Sequence, residues 1–595
     1  MKKTLCAAAT LAVCTALAQQ PKRVVDDKAL LNAANSGEEW VTYGRDYAET
    51  HFSPLKQIDT SNVKRLGLDW SWETESPAGA RIESTPLFSN GMLYATLGWN
   101  VTVAVDARTG KQKWRWDPEI PREHISQICC GPVNRGVALY KGMVFAGLLD
   151  GTVVALDQET GKVKWRIKDT FNNDTILTAA VRVVKGKLIV GSSGAEQAIR
   201  GYFSAYDPET GKRLWRFYTV PGDPSKPFEQ PELEMAARTW HGEWWKMGGG
   251  GTVWDSMAYD PDADLLYIGV GNGGPWDRNL RSPGGGDNLF LASVIAVKPD
   301  TGKLVWYFQE TPGDDWDFTS TQPMVLADLT IDGKQRKVLM HAPKNGFFYV
   351  LDRITGEFIS GAKYARRVTW ATGLDKNGRP IEANGARYGV NPVLIAPGNG
   401  GAHNWEAMAF SPLTGLVYIP GTEGGARYAR DPKFVYTPGT QNAGMSTMQR
   451  PRDPDGHVVP PDPPAGVAVV EPEGAENQPK DVGGGFLVAW DPVAQKERWR
   501  IPAVGGYLRG GATLATAGNI VFHDSKAYNA ETGENLWGVE MNGESVAPIT
   551  YMLDGKQYIT YFARSYPNSR MFSFVLEGSQ PIPPIPAAVN TAPRP

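Results

Sequence analysis

The chain has 595 residues, with 61 Lys and Arg against 64 Asp and Glu, 66 Gly, 44 Pro, 20 Trp and only 4 Cys. The formal charge of −3 gives no basic surface field for nucleic acid, and four cysteines are too few for a disulfide-built scaffold. With 42% hydrophobic residues the chain can build a large core, and its Gly and Pro content indicates a turn-rich globular protein.

The first predicted element is a secretory signal peptide over residues 1–18. Two lysines precede a short apolar stretch, and Ala-Leu-Ala at 16–18 offers the small residues of a cleavage site. The apolar stretch is shorter than the roughly 18–20 residues that span a bilayer, which disfavours a membrane anchor. Cys14 is a poor lipid-attachment site because the bulky Val13 precedes it. We therefore expect export to the periplasm and a mature chain that begins at Gln19.

A repeat follows along the rest of the chain. Each unit has a short apolar strand ending in Ala-x-Asp or a similar triplet, a Thr-Gly turn and then Lys-x-x-Trp. Alternating apolar residues indicate strands and the Asp and Gly a tight turn, so each unit is a hairpin that must stack on others to bury its face. The close copies are 104–114, 155–165, 205–215, 296–306 and 527–537, and the weaker ones are 351–356, 411–415 and 489–499. Eight copies predict an all-β fold, an eight-bladed β-propeller over residues 19–578.

Tryptophans share one position of this repeat, so we expect them to pack between blades and not to form a cofactor cage. These residues are Trp114, Trp165, Trp215, Trp306, Trp499 and Trp537. Trp254 is among those that lie off the repeat and are open to a functional role. The longer gaps predict insertions near 221–251, 273–288 and 421–483, which we expect to shape the entrance to a binding site.

Removal of the predicted signal peptide leaves two cysteines, Cys129 and Cys130, adjacent in the chain. In an oxidising compartment they could form a strained disulfide between neighbours, or they could be two reduced, buried thiols. The residues alone leave both alternatives open.

Five motifs outside the repeat resemble those of the pyrroloquinoline quinone (PQQ) dehydrogenases and follow one another in the same order. They are CCGPVNR at 129–135, GSSGAE at 191–196, GGTVWDSMAYD at 250–260, GVGNG at 269–273 and TPGDDWDF at 311–318. Together with the repeat they cover nearly all of the mature chain. The chain is therefore identified as a member of this family by resemblance.

The resemblance implies how the chain would hold PQQ, a flat, tri-anionic quinone. It implies a Cys129–Cys130 disulfide as a rigid plate on one face of the ring and Trp254 on the other. The remaining implied cofactor contacts are Glu83, Arg135, Thr178, Ser193, Gly194, Ala195, Thr252, Lys344, Asn404 and Trp405.

The resemblance also implies a metal site formed by Glu196, Asn272 and Asp317. All three donate oxygen atoms, which suits Ca²⁺ better than soft transition metals, and no His pair has zinc-like spacing. Asp317 would be the general base for the substrate hydroxyl, and Lys344 would stabilise negative charge on the reduced quinone. Lanthanide-using members carry a second Asp where this chain has the neutral Thr319, so we predict Ca²⁺.

The closest resemblance is to the quinohaemoprotein alcohol dehydrogenases, which carry a cytochrome c domain with a Cys-x-x-Cys-His site. That motif does not occur in this sequence, whose last residues, 579–595, form a Pro-rich tail. We therefore expect a separate periplasmic c-type cytochrome as electron acceptor. The expected substrates are primary or secondary alcohols, and the long insertions suggest bulky or polycyclic ones such as the mycotoxin deoxynivalenol.

Two alternatives share part of this pattern. A non-enzymatic scaffold similar to the outer-membrane assembly lipoproteins would need the Thr-Gly/Trp repeat but not Cys129, Glu196, Asn272 or Asp317. An aldose dehydrogenase would share the cofactor but usually lacks adjacent cysteines. An assay with and without PQQ and Ca²⁺ separates enzyme from scaffold.

Overall fold

Eight sheets, seven of four strands and one of five, form the body of the described protein and confirm the predicted all-β, eight-bladed propeller. The computed structural model describes residues 23–75, 82–122, 128, 130–170, 175–197, 199–446, 468–480, 483–503, 511–540, 544–564 and 569–584. The predicted signal peptide, Cys129 and most of the Pro-rich tail lie outside these residues.

The first three blades are simple meanders. Two strands precede them in the chain and belong to blades 7 and 8. β1 (Phe52–Ser53) and β2 (Leu66–Glu73) join sheets that are completed much later in the chain. Blade 1 comprises β3 (Leu87–Ser89), β4 (Met92–Thr96), β5 (Thr102–Asp106) and β6 (Gln112–Trp116). Blade 2 comprises β7 (Ala138–Tyr140), β8 (Met143–Gly147), β9 (Thr152–Asp157) and β10 (Val163–Lys168). Blade 3 comprises β11 (Arg182–Val184), β12 (Lys187–Gly191), β13 (Tyr202–Tyr206) and β14 (Arg213–Tyr218).

Two-residue strands interrupt the next blade. The chain continues with β15 (Gly249–Gly250), β16 (Met257–Asp260), β17 (Leu265–Gly269), β18 (Gly273–Gly274), β19 (Ser293–Val297) and β20 (Leu304–Gln309). β16, β17, β19 and β20 form blade 4, and β15 pairs with β18 beside it. Blade 5 comprises β21 (Val325–Ile331), β22 (Lys334–His341), β23 (Phe347–Asp352) and β24 (Phe358–Lys363).

The last third of the chain completes the ring. Small strands β25 (Ala371–Leu374), β26 (Pro380–Glu382) and β27 (Val393–Ile395) precede β28 (Ala409–Ser411), β29 (Leu416–Glu423), β30 (Ala426–Tyr428), β31 (Gly484–Asp491) and β32 (Lys496–Ala503). β28, β29, β31 and β32 form blade 6. Blade 7 comprises β33 (Thr513–Thr516), β34 (Ile520–His523), β35 (Lys526–Asn529) and β36 (Asn535–Gly538), with β1 parallel to β33. Blade 8 comprises β37 (Glu544–Leu553), β38 (Lys556–Arg564), β39 (Arg570–Leu576) and β2 as its outer strand.

Helices are few and short. The α-helices are α1 (Asp27–Asn32), α2 (Glu232–Ala237) and α3 (Arg278–Arg281), and 3₁₀ turns lie at Ala33–Asn35, Val63–Arg65, Gly98–Asn100, Ala195–Gln197, Trp244–Met247 and Ala475–Asn477. None of the helices in the described part of the chain combines the length and apolar composition that crossing a bilayer requires.

The repeat tryptophans join consecutive blades, as predicted. The Trp114 indole in β6 donates to the Gln158 carbonyl of the next blade, and the Thr-Gly glycine there, Gly161, lies against the same ring. Equivalent bonds run from Trp165, Trp215, Trp306, Trp499 and Trp537 to Pro208, Pro299, Arg353, Ala530 and Leu66. Trp70 of β2, outside the recognised repeat, donates to Ala107 and links blade 8 to blade 1.

The count of eight repeat copies is correct for a partly wrong reason. The copies at 411–415 and 489–499 both lie in blade 6, the first between β28 and β29 and the second between β31 and β32. Blade 8 contains no copy, because its outer strand comes from the N-terminal part of the chain. In blade 5 the tryptophan position is Ser360, which accepts a hydrogen bond from Gln495 of blade 6.

The segment 38–53, which we call the axial segment, lies across the innermost strands of the propeller. Its backbone carbonyls accept hydrogen bonds from six blades, at Glu38 (from Met552), Trp40 (from Phe88), Tyr47 (from Tyr259), Ala48 (from Leu326), Thr50 (from Phe410) and His51 (from Ala515). A buried ion pair between Glu49 and Arg182 adds blade 3, with Nε–Oε1 at 2.8 Å.

The predicted insertions lie between β14 and β16, between β17 and β19, and between β29 and β31; residues 447–467 of the last are outside the described residues. A further insertion over 364–408, between β24 and β28, was not predicted. β27 of this insertion pairs with β30, so these two connections form a small sheet outside the blades.

Candidate active site

The predicted site residues lie on one face of the propeller. In a four-stranded meander the loop that enters the first strand and the loop between the second and third strands lie at the same end. Glu83, Cys130, Arg135, Thr178, Thr252, Trp254, Asp317, Asn404 and Trp405 lie on entering loops, and Ser193, Gly194, Ala195, Glu196, Asn272 and Lys344 lie on second-to-third loops. The Thr-Gly turns are at the opposite end, so the repeat and the site occupy different faces.

Arg135 is the centre of a buried polar cluster. It forms an ion pair of 2.9 Å with Glu83 and donates at 3.1 Å to the Thr178 hydroxyl. Its guanidinium also lies 4.7 Å from the centroid of the Trp254 ring, and Asp255 is 3.6 Å away. Burial alone would lower the pKa of Arg135, but Glu83 and Asp255 outweigh it and raise that pKa, so the residue is a fixed cation.

The neighbouring loops are tied together by hydroxyl and backbone contacts. Thr178 and Ser193 share a hydrogen bond of 2.8 Å between their hydroxyls, and the Ser193 N–H donates to the Ile176 carbonyl. Gly194 then turns the chain with a φ of 101°, which favours glycine, and leads through Ala195 to Glu196. The turn brings the Glu196 carboxylate into contact with the next blade.

Two of the three predicted metal ligands, Glu196 and Asn272, are in contact at this point. The Asn272 amide and Glu196 Oε1 are 3.2 Å apart, and the Trp276 indole N–H lies 3.4 Å from the same oxygen. Asp317 Oδ2 accepts a hydrogen bond from Lys344 Nζ at 2.9 Å. Within the described residues no three His, Cys, Asp or Glu side chains form a metal-binding group; the predicted set has two carboxylates and an amide.

Asp317 is held in an uncommon conformation. Its φ of 63° lies in the left-handed region, and it is only 7% exposed. The preceding Asp314 accepts hydrogen bonds from the N–H groups of Trp316 and Phe318, which fixes the turn. Burial raises the pKa of Asp317 well above its ordinary value, Lys344 opposes this, and the nearby Glu196 adds to it.

Lys344 keeps its charge in this buried setting. Burial alone would lower its pKa, but Asp317 and Glu196 outweigh burial and raise it. Cys130 is exposed and lies near both Lys344 and Arg135. Because Cys129 is outside the described residues, the disulfide between them stays a prediction.

The described residues fit both expected groups. The Thr252 hydroxyl is fully buried and has no hydrogen-bond partner among the described residues, and neither has Arg135 Nε. A carboxylate of PQQ would supply acceptors for both. The oxygen donors of Glu196, Asn272 and Asp317 carry two negative charges when ionised, which fits a divalent cation.

Asn404 and Trp405 form the start of blade 6. The Asn404 amide donates to the Gly400 carbonyl and its oxygen accepts from the Trp405 N–H. Trp405 is only 3% exposed and packs in the main core cluster.

Two residues of the site were missed in the sequence. Asp255 lies beside Arg135, and Trp276 reaches Glu196. Asp255 directly follows Trp254 in a motif that was recognised. A charged residue just before a buried strand was the signal that could have identified it. Trp276 lies three residues after the recognised GVGNG motif and was among the off-repeat tryptophans open to a functional role, but no contact to the site was predicted for it.

A family model described as the β-propeller domain of PQQ glucose/ethanol/alcohol dehydrogenases matches residues 40–366 and 380–559. The quinohemoprotein alcohol dehydrogenase ADH IIB of Pseudomonas putida is 48% identical over 600 residues, which are 96% of this chain and 83% of that protein. The crystal structure of the quinohemoprotein alcohol dehydrogenase from Comamonas testosteroni superposes with a TM-score of 0.85 at 44% identity, covering 94% of this chain and 84% of that one. A europium-containing methanol dehydrogenase superposes with a TM-score of 0.79 at 30% identity, covering 92% and 100%.

Proposed function

The chain belongs to the PQQ-dependent alcohol dehydrogenase family of β-propellers, and we propose that it oxidises primary or secondary alcohols, bulky ones included, to aldehydes or ketones. Membership makes it an oxidoreductase acting on alcohols with PQQ as cofactor. It also disfavours the scaffold alternative, because the named relatives at 39–48% identity are alcohol dehydrogenases.

The buried Asp317–Lys344 pair beside Glu196 is the observation that carries the proposed mechanism. When bound, PQQ supplies a hydride acceptor and the cation a Lewis acid. Asp317 accepts the proton of the substrate hydroxyl, since Lys344 holds its carboxylate in place and burial raises its pKa, which makes it a stronger proton acceptor. Lys344 supplies positive charge where negative charge develops during the reaction.

We propose Ca²⁺ as the ion. The side chain of Thr319 is neutral. Its hydroxyl is engaged in hydrogen bonds with the Gln322 side-chain amide. Two carboxylates and one amide suit a divalent ion better than a trivalent one. Reconstitution of the metal-free protein with PQQ should restore activity with Ca²⁺ and not with La³⁺, and Thr319→Asp should shift the preference towards La³⁺. Activity restored by La³⁺ alone would show that the assignment is wrong.

For the electron acceptor we propose a periplasmic c-type cytochrome outside these 595 residues. The sequence contains no Cys-x-x-Cys-His motif, so these residues hold no covalent haem of that type. The proposed signal peptide would deliver the enzyme to the periplasm, and N-terminal sequencing of the exported protein should begin at Gln19. Reduction of a purified periplasmic cytochrome by alcohol plus enzyme, monitored in its α-band, tests the acceptor.

The function is tested by a dye-linked assay with a panel of alcohols, with and without PQQ and Ca²⁺. The panel spans ethanol, secondary alcohols, sugars and polycyclic alcohols such as deoxynivalenol. Activity that requires both PQQ and Ca²⁺ supports the proposal, and a preference for sugars would favour the aldose-oxidising alternative. No rate on any alcohol, with no PQQ absorbance after reconstitution, contradicts it.

A further inference from the structure

Asp255 is a buried carboxylate to which the mechanism assigns no role. It enters the innermost strand of blade 4, is 2% exposed, and neither of its oxygens accepts a well-formed hydrogen bond among the described residues. The nearest cation is Arg135, whose Nε is 3.6 Å from Oδ2. Burying an ionised carboxylate without such hydrogen bonds costs free energy. Its protonation state therefore depends on the charges around it.

Those charges come from four elements. Arg135 and Glu83 lie on the loops that lead into blades 2 and 1, and Arg182 lies in β11 of blade 3. The axial segment contributes Glu49 and Tyr43. Three carboxylates therefore face two guanidiniums. Each arginine has a closer partner than Asp255, with Arg135–Glu83 at 2.9 Å and Arg182–Glu49 at 2.8 Å. Asp255 is the carboxylate left without an arginine of its own.

Burial raises the pKa of Asp255 to about 6, with Arg135 and Arg182 opposing and Glu83 adding to the shift. At neutral pH the group is thus near the point at which an added charge changes its protonation. An anion that binds to Arg135 both competes for that guanidinium and repels Asp255.

We propose that Asp255 takes up a proton when a carboxylate of PQQ binds at Arg135, so that cofactor binding and protonation of Asp255 are linked. The inference rests on the proposed function, because it requires PQQ at this site. The proton comes from solvent and no covalent bond of the cofactor changes. A proton is taken up in the pH range between the pKa of Asp255 without cofactor and its higher pKa with cofactor. The affinity for PQQ therefore decreases as the pH rises through that range.

Isothermal titration of PQQ into the cofactor-free protein, with Ca²⁺ saturating throughout, tests the linkage. Titrations at pH 7 in two buffers of different ionisation enthalpy give the number of protons bound, which should be about 0.5–1 for wild type by one-site linkage. The dissociation constant should rise by up to about tenfold per pH unit between pH 6 and 8. Asp255→Asn should bind PQQ with no more than about a fifth of that proton uptake and with a nearly flat pH profile, and Asp255→Glu should restore the slope.

Glu49→Gln is the matched control, since Glu49 also faces Arg182 but forms its ion pair there and not with Arg135; most of the uptake should persist in it. Equal uptake in Asp255→Asn and wild type, or loss of uptake in Glu49→Gln alone, would overturn the assignment to Asp255. If the Asn variant fails to fold, a flat affinity of wild type from pH 6 to 8 overturns it equally. Absence of PQQ binding to wild type at any pH would overturn the proposed function and this inference together.

Discussion

At the scale of single residues, the backbone of Asp317 matters as much as its carboxylate. A φ of 63° is disfavoured for most side chains but tolerated by Asp and Asn, and such strain is concentrated at functional sites. Asp317→Asn therefore keeps the turn while removing the proton acceptor. We expect turnover of the reconstituted enzyme to fall by about 10²–10⁴-fold, the range for loss of a general base. Steady-state rates and the apparent melting temperature of both proteins are the measurements.

Asp332→Asn is the matched control for this substitution. Asp332 also has a positive φ, of 50°, but it is exposed in the turn between β21 and β22. Its variant should keep the rate of wild type. A rate for Asp317→Asn within about threefold of wild type would rule out Asp317 as the general base.

The buried hydroxyl of Thr252 gives a second test at this scale. It has no partner among the described residues, so Thr252→Val removes an unsatisfied polar group and should leave the melting temperature of the cofactor-free protein unchanged or higher. The affinity for PQQ should fall by about tenfold, because a hydrogen bond to a charged group is lost. Fluorescence titration with PQQ measures the affinity.

Thr178→Val distinguishes this role from simple packing. The Thr178 hydroxyl already bonds to Ser193 and Arg135, so its loss should destabilise the cofactor-free protein by about 1–2 kcal/mol. If Thr252→Val destabilised the protein as much as Thr178→Val does, the Thr252 hydroxyl would have an internal partner and not await a ligand.

How much of the site was predictable also depends on single residues. Glu196, Asn272 and Asp317 were recognised because each lies in a motif that resembles those of the PQQ dehydrogenases, and in the structure Glu196 contacts Asn272 and acts electrostatically on Asp317. Asp255 was missed because its importance comes from Arg135, Arg182 and Glu83 on three other blades, and such a charge balance depends on tertiary contacts. Sequence spacing carries no information on contacts of that range.

At the scale of elements, the contact between each repeat tryptophan and the next Thr-Gly glycine should contribute to the stability of the ring. A Cβ on Gly161 would lie 2.7 Å from the Trp114 ring, whereas a Cβ on Gly142 would have nothing within 4 Å. Both glycines have a positive φ, of 70° at Gly161 and 75° at Gly142. An alanine therefore carries a similar backbone penalty at either position.

Gly161→Ala should therefore lower the stability by about 1–3 kcal/mol more than Gly142→Ala, since overpacking adds to the shared penalty. Thermal unfolding of the two variants under identical conditions measures the difference. Equal melting temperatures would show that the indole ring of Trp114 moves aside without loss of stability, and that the contact between the blades does not depend on Gly161.

Elements were predicted as far as the repeat extends. Strands three and four of most blades follow from the Thr-Gly and Trp positions, because turn chemistry and strand alternation are local. Blade 8 could not be recognised in this way, since its outer strand β2 (Leu66–Glu73) pairs with β39 (Arg570–Leu576) from the other end of the chain. The insertion at 364–408 was missed because its strands pair with each other and with β30, outside the repeat.

At the scale of the whole molecule, the axial segment binds strands of both early and late blades, and the protein buries several ionisable groups in its interior. Burial raises the pKa of Glu49 to about 7 and those of Asp255 and Asp315 to about 6. Burial lowers the pKa of His51 to about 3 and that of His403 to about 4. These two sets have opposite effects on the pH dependence of stability.

The signs follow from proton binding. With a raised carboxyl pKa the folded protein binds more protons than the unfolded chain, so stability is complete below about pH 4.5 and is lost as the pH rises to between 6 and 7. With a lowered histidine pKa the unfolded chain binds more protons, so stability is complete above about pH 6.5 and is lost as the pH falls towards 4 and 3. Between about pH 4.5 and 6 the three carboxyls lower the stability as the pH rises and the two histidines raise it, so the melting temperature of the cofactor-free protein should depend only weakly on pH in this range.

Thermal unfolding of the cofactor-free protein from pH 4 to 9 measures this profile. Glu49→Gln should make the melting temperature rise more, or fall less, between about pH 4.5 and 7 than in wild type, because it removes a carboxyl whose pKa is raised to about 7 in the folded protein. His403→Gln should have the opposite effect and make the melting temperature fall more, or rise less, between about pH 4 and 6.5, since its amide can occupy the position between the Ala342 and Glu406 carbonyls without titrating. The same pH dependence in Glu49→Gln and wild type would show that Glu49 is ionised without penalty, and that Arg182 compensates it in full.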